Sequence, residues 1–166
     1  MTKLDEAIRR AQAPVVLVAH SLGCLAVAWW ATLSPQPYGW PVAGALLVAP
    51  ADVDRAGVQE ELRGFAPSPR TILPFPSILV ASSDDPWITP QAAHSLAATW
   101  GSHFVEVGAY GHLNAASGIG LWPEGQELLD RVLAAGRGPS GTTLVPSAAR
   151  SILVGTGAAA HRPAMR

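Results

Sequence analysis

The chain has 166 residues, 49% of them hydrophobic and only 14% charged, with a formal net charge of −1. That length fits one domain around one core, and the near-neutral charge argues against a nucleic-acid binder held by phosphate contacts. No apolar run reaches the roughly 18 residues of a membrane span, and the single cysteine, Cys24, excludes an internal disulfide and points to a reducing, cytoplasmic setting.

The opening "MTKLDEAIRR" reads as a charged amphipathic helix and lacks the apolar centre of a signal peptide. "PVVLVA" is a β-branched run bounded by Pro14 and a Ser-Leu-Gly turn, which predicts a buried strand. Leu22 to Leu33 is apolar and alanine-rich and stops at "SPQP", which predicts a helix. "VAGALLVAP" is a second buried strand, and "DVDRAGVQEELRGF" has the spaced apolar positions of a surface helix. "SPRTILPFP" is a proline-punctuated loop leading to a third strand, "SILVAS". "TPQAAHSLAATWG" carries a threonine N-cap, a proline at the first helical position and a terminal glycine. "SHFVEVG" is a fourth strand and "WPEGQELLDRVLAA" a last helix.

Strand and helix alternate four times. Such a pattern predicts an α/β fold with parallel strands, right-handed crossovers and helices on both faces. From residue 136 onward the chain is rich in Gly, Ala, Pro, Ser and Thr, with four arginines and no acid. All 12 acids lie in residues 1–135, so the body is acidic and the tail basic. We expect a core over 1–135 and a disordered tail over 136–166.

Ser21 sits where a buried strand meets a helix. "AHSLG" fits the nucleophile elbow G-x-S-x-G with Ala19 in place of the first glycine. The turn needs small neighbours, and it lifts the serine hydroxyl to the carboxyl edge of the sheet, where open α/β folds place their sites. The next amide, Leu22 N–H, lies at a helix start and is suited to hold an oxyanion. Ser21 could instead simply cap the helix.

A serine needs a base, and the base an orienting acid. "ASSDDPWITP" follows the third strand and "GAYGHLNAASG" the fourth, so both loops reach the same edge as Ser21. Their order makes His112 the base and Asp84 or Asp85 the acid. Pro86 biases Asp85 toward an extended backbone, and Asp84 could as well cap the turn, but spacing leaves the two aspartates open. Asp52 and Asp54, after the second strand, are weaker candidates.

The remaining chemistry-bearing residues read more plainly. His20 is expected to shape the substrate pocket, because neighbours around a sharp turn point apart. Trp87 and Trp122 flank the acid and base loops and are candidates to line that pocket. His94 and His103 are expected at the surface, and His161 lies in the tail. Cys24 reads as a small buried hydrophobe, and Trp29 and Trp30 as helix packing. No metal-ligand spacing and no phosphate-binding glycine motif occurs, so neither a metal nor another cofactor is expected.

Together "VVLVAHSLGCLAVAWWA", "LPFPSILVASSDDPWI" and "GHLNAASGIGLWPEG" resemble the small serine hydrolases similar to retinoblastoma-binding protein 9. The resemblance covers residues from about 4 to about 135. It implies a compact, lidless three-layer α/β-hydrolase fold and esterase-type cleavage of small acyl esters. It also implies the roles of Ser21 as nucleophile, His112 as base and Asp85, the aspartate before proline, as acid.

Members of that family begin with an earlier strand and a loop that carries a second oxyanion amide. This chain is therefore expected to be N-terminally truncated. The segment Val15 to Ala19 would then be an exposed apolar sheet edge, open to self-association. The alternative is a catalytically impaired, truncated hydrolase-fold remnant that acts as a binding protein or has no function.

Overall fold

A computed structural model of the chain describes residues 2–12 and 14–136, together with the backbone of a strand at 151–154. Its elements run α1 (Thr2–Arg10), β1 (Val15–His20), α2 (Leu22–Leu33), β2 (Val42–Val48), β3 (Ser77–Ala81), α3 (Pro90–Trp100), β4 (His103–Glu106), α4 (Pro123–Ala135) and β5 (Ser151–Val154). The strands form one sheet in the order β4-β3-β2-β1-β5, and every pair is parallel. All the strand carboxyl ends therefore share one edge.

Period-two alternation divides the core. Val15, Leu17 and Ala19 of β1 join Ala45, Leu47 and Leu79 in a cluster with Ile8 of α1, Leu25 and Trp30 of α2, and Ala97 and Trp100 of α3. Val16, Leu46, Val48, Ile78 and Val80 face the other way, onto Leu128 and Val132 of α4. Three helices thus cover one face of the sheet and α4 the other. Burial on both faces is why β2 could be written as an unbroken apolar run, and all seven of its residues are buried.

The α3 signals act as expected. Thr89 Oγ1 accepts the Ala92 amide, Pro90 occupies the first turn, and Gly101 closes the helix at φ 68°. Trp30 Nε1 donates to Asp5 of α1 and Trp29 Nε1 to the Phe65 carbonyl, so both tryptophans of α2 do pack its neighbours. His94 and His103 are exposed.

Two expectations are corrected. The surface helix over 52–65 is reduced to a 3-10 turn at Glu60–Phe65. Asp52 Oδ1 accepts the Asp54 amide and the Asp54 carboxylate accepts the Ser68 amide, while Gly57 turns at φ 75°. Short acidic side chains that bond nearby backbone compete with helix formation. The second correction concerns the edge of β1. Residues 151–154, expected in a disordered tail, form β5, and Val16 to Ala19 pair with Ser151 to Val154. The segment Val15 to Ala19 is therefore flanked by β2 and β5 and is not a bare edge. The rest of the tail lies outside the described residues, His161 included.

Among the described residues no helix is long and apolar enough to cross a membrane.

Candidate active site

Ser21 stands between β1 and α2 with φ 56° and ψ −125°. A non-glycine residue in that region is strained, and only a surrounding structure that over-determines the turn keeps it there. The Ser21 amide donates to the Val48 carbonyl and its own carbonyl accepts the Cys24 amide, both at 3.0 Å. The Cys24 thiol is buried beneath the turn, within 3.5 Å of the Ala19 and 3.4 Å of the Val48 carbonyl. Burial pushes that thiol's pKa far up, so it stays protonated and inert. The helix-capping reading of Ser21 does not hold, because its side chain makes no cap hydrogen bond.

The Ser21 hydroxyl points instead at His112, with Oγ 2.9 Å from Nε2. On the far side of the ring, Nδ1 lies 3.0 and 2.9 Å from the two carboxylate oxygens of Asp85. A carboxylate only accepts, so Nδ1 carries the ring proton and Nε2 presents its lone pair to the serine. The Asp85 side chain is wholly buried and that of His112 is 11% exposed. Asp85 Oδ1 also accepts the Trp87 amide at 2.8 Å. The carboxylate is thus held by donors on two sides, as a buried polar group requires.

The aspartates that spacing left open now separate. Asp85 faces the imidazole. Asp84 Oδ1 accepts the Ser82 hydroxyl and the Gly111 amide, each at 2.7 Å. The Ser82 oxygen in turn accepts the Tyr110 amide at 2.8 Å. These bonds tie the loop that carries His112 to the loop that carries the acid. The Ser82 hydroxyl, and then the Gly111 amide, hold the Asp84 carboxyl below the usual carboxylate range. Sequence reasoning missed Ser82 and gave Asp84 no such task. The only available signal was the polar cluster "SSDD" directly after a buried strand.

The expected pocket residues fare differently. Trp87 lies beside His112, ring centroids 6.1 Å apart, and Arg55 stacks over its outer face at 5.6 Å. Trp122 sits at the N-cap of α4 with φ 48°. Its ring covers Gly125, where an added Cβ would stand 2.1 Å from Trp122 Cε3. Trp122 is thus a packing residue of the α4 face, and no hydrogen bond or ring contact ties it to Ser21 or His112 among the described residues. His20 turns toward the base loop, its Nε2 2.8 Å from the His112 carbonyl oxygen. Burial is the main cause that lowers its pKa, so the neutral ring is favoured. Leu22 opens α2 directly after Ser21, and the first amides of a helix have no partner within it. Asp52 and Asp54 serve the 52–68 backbone and do not reach His112. Among the described residues no group of three or more His, Cys, Asp or Glu side chains could hold a metal ion.

An aligned hydroxyl, imidazole and buried carboxylate can pass a proton from the serine to the ring and so make the oxygen nucleophilic. Solved structures share the fold. The fold resembles a protein assigned as a YdeN-like hydrolase from Pectobacterium atrosepticum, with a TM-score of 0.66 and 28% identity over 87% of this chain and 69% of that one. A protein assigned as a CIB-like hydrolase from Thermoplasma acidophilum shares the fold at a TM-score of 0.52 and 20% identity. The match covers 82% of this chain and 57% of that one, so the chain spans little more than half the length of this second protein. No curated protein matches. The sheet and its helices are those of an α/β-hydrolase, and residues 1–131 match the serine hydrolase family, to which this chain therefore belongs.

Proposed function

We propose that this chain is an esterase, of the small lidless type similar to retinoblastoma-binding protein 9, that cleaves small acyl esters through an acyl-enzyme on Ser21. The observation that carries the reading is the unbroken hydrogen-bonded path from Ser21 Oγ through His112 to the buried Asp85 carboxylate. Ser21 Oγ attacks the ester carbonyl while His112 Nε2 takes its proton. The tetrahedral oxyanion is held by Leu22 N–H at the start of α2. The imidazolium, steadied by Asp85, then protonates the departing alkoxide, and the ester C–O bond breaks. Water, deprotonated by the same nitrogen, attacks the acyl-enzyme, and the acid product leaves with Ser21 restored. Trp87, half-buried beside His112, is placed to border the bound ester.

The test is labelling of the full chain with a fluorophosphonate probe, alongside turnover of p-nitrophenyl acetate. Labelling that disappears in both Ser21→Ala and His112→Ala is the expected result. A chain that is folded by circular dichroism yet neither labels nor turns over would overturn the esterase reading. It would leave a catalytically impaired hydrolase-fold protein.

A further inference from the structure

We infer that His20 is a positioning residue for His112, acting through a hydrogen bond from its Nε2–H to the His112 backbone carbonyl. The inference rests on the reading of Ser21 and His112 as nucleophile and base. The two atoms are 2.8 Å apart. A carbonyl oxygen only accepts, so the proton is on His20 Nε2. The rings meet at 4.7 Å between centroids with planes tilted by 60°.

The base loop needs such a bond at this point. Leu113, the residue after His112, has φ 47°, a conformation that persists only where neighbours enforce it. On the amino side of His112 the loop is held by the Tyr110 and Gly111 amides, bound to Ser82 and Asp84. At His112 itself the backbone partner is His20, the last residue of the strand that leads into Ser21. Nucleophile and base are therefore joined through β1 by a bond that does not carry the transferred proton. The contact between Ser21 Oγ and His112 Nε2 is broken and remade during each turnover, whereas the bond from His20 to the carbonyl can persist throughout. Burial favours the neutral His20 ring, which then adds no second positive charge when His112 becomes an imidazolium. Burial outweighs the bond to the His112 carbonyl, which favours a charge on that ring; the His112 ring opposes such a charge and Asp85 attracts it.

The experiment compares the full-length chain with His20→Phe, which keeps a ring but has no donor, and His20→Gln, which keeps an N–H donor. Two quantities are read: kcat and KM on p-nitrophenyl acetate, and the solvent exchange of the His112 Nδ1 proton by NMR with 15N-labelled histidine. His20→Phe is expected to lower kcat by about tenfold or more, short of the ~10²-fold that a misplacement near 1 Å can cost. KM should stay within about twofold, and the Nδ1 proton should exchange faster. His20→Gln should recover part of both losses. A raised KM with unchanged kcat in His20→Phe would overturn the inference and return His20 to a pocket-lining role. So would a His20→Gln variant that is folded and no better than His20→Phe. If the unaltered chain does not turn over, the esterase reading fails on its own, and the proton exchange still decides the role of His20.

Discussion

The two edges of the sheet are built differently. At the carboxyl edge, Ser21, Ala49 and Leu113 all hold positive φ, side chains bond directly to backbone across loops, His20 to His112, Ser82 to Tyr110 and Asp84 to Gly111, and Asp85 bonds the Trp87 amide of its own loop. At the amino edge, proline-rich segments lead into β2 and β3. Backbone bonds continue the ladder there, from Val15 to Pro41 and from Ala45 to Pro76. Tyr38, Trp40 and Ile72 stand largely in solvent at 72%, 53% and 75% exposure. One edge stores strain and spends side chains on fixing loops. The other closes mainly by packing and main-chain bonds, with few side-chain bonds such as that between the Ser77 and Ser102 hydroxyls. Strain of this kind gathers where geometry has to be held for chemistry.

The contrast breaks most sharply at Asp85. Asp85→Asn leaves an oxygen for the Trp87 amide but favours the wrong tautomer of His112, and kcat should fall by about 10⁴-fold. Steady-state turnover of p-nitrophenyl acetate checks it, and a loss below about tenfold would show that Asp85 does not orient the base.

An amino-edge change should do the reverse. A Cβ at Gly44 would stand 2.6 Å from Val132 Cγ1 and 3.1 Å from the Pro76 carbonyl oxygen. Gly44→Ala should cost about 1–3 kcal/mol, as overpacking does, and lower Tm. Active-site titration should find kcat per folded molecule unchanged. A drop in kcat would mean that the edges are coupled through α4.

Asp84→Asn should have the smallest effect and a distinctive pH signature. Loosening the base loop should lower kcat by about tenfold or less, the scale of one ordinary hydrogen bond, since the amide oxygen of Asn can still accept. The Ser82 hydroxyl, with the Gly111 amide, holds the folded carboxyl below its ordinary value. Its contribution to stability is thus complete above the unfolded value, near 4, and is lost as pH falls through the folded value. Thermal unfolding measured as pH is lowered through that range should fall more steeply for the unaltered chain than for Asp84→Asn. Equal slopes would show that the carboxylate carries no such linkage.

Much of this architecture was legible before any coordinates. Apolar runs such as "VAGALLV" announce strands buried on both faces, and their alternation with helices implies parallel order. Once the strands are parallel, loops that follow them must meet at one edge, which is why Ser21, His112 and an aspartate could be nominated together. The serine hydrolase family was legible too, from the segments around those residues. Spacing could not separate Asp84 from Asp85, because adjacent side chains share every sequence distance while pointing in different directions. The bond from His20 to the His112 carbonyl was out of reach for a related reason: the sense of a turn says which way a side chain leaves the strand, not which carbonyl it meets.

By itself, the sequence determined the alternation of elements, the apolar faces and the residue types brought to the carboxyl edge, since these follow from local periodicity and chain order. Only the tertiary structure decided what Asp84 does once Asp85 meets His112, that Trp122 packs on Gly125, and that four residues of a Gly- and Ala-rich tail become β5 beside β1. A strand that short has too few contacts of its own to announce itself. It exists because the open hydrogen-bonding groups of β1 supply its partner.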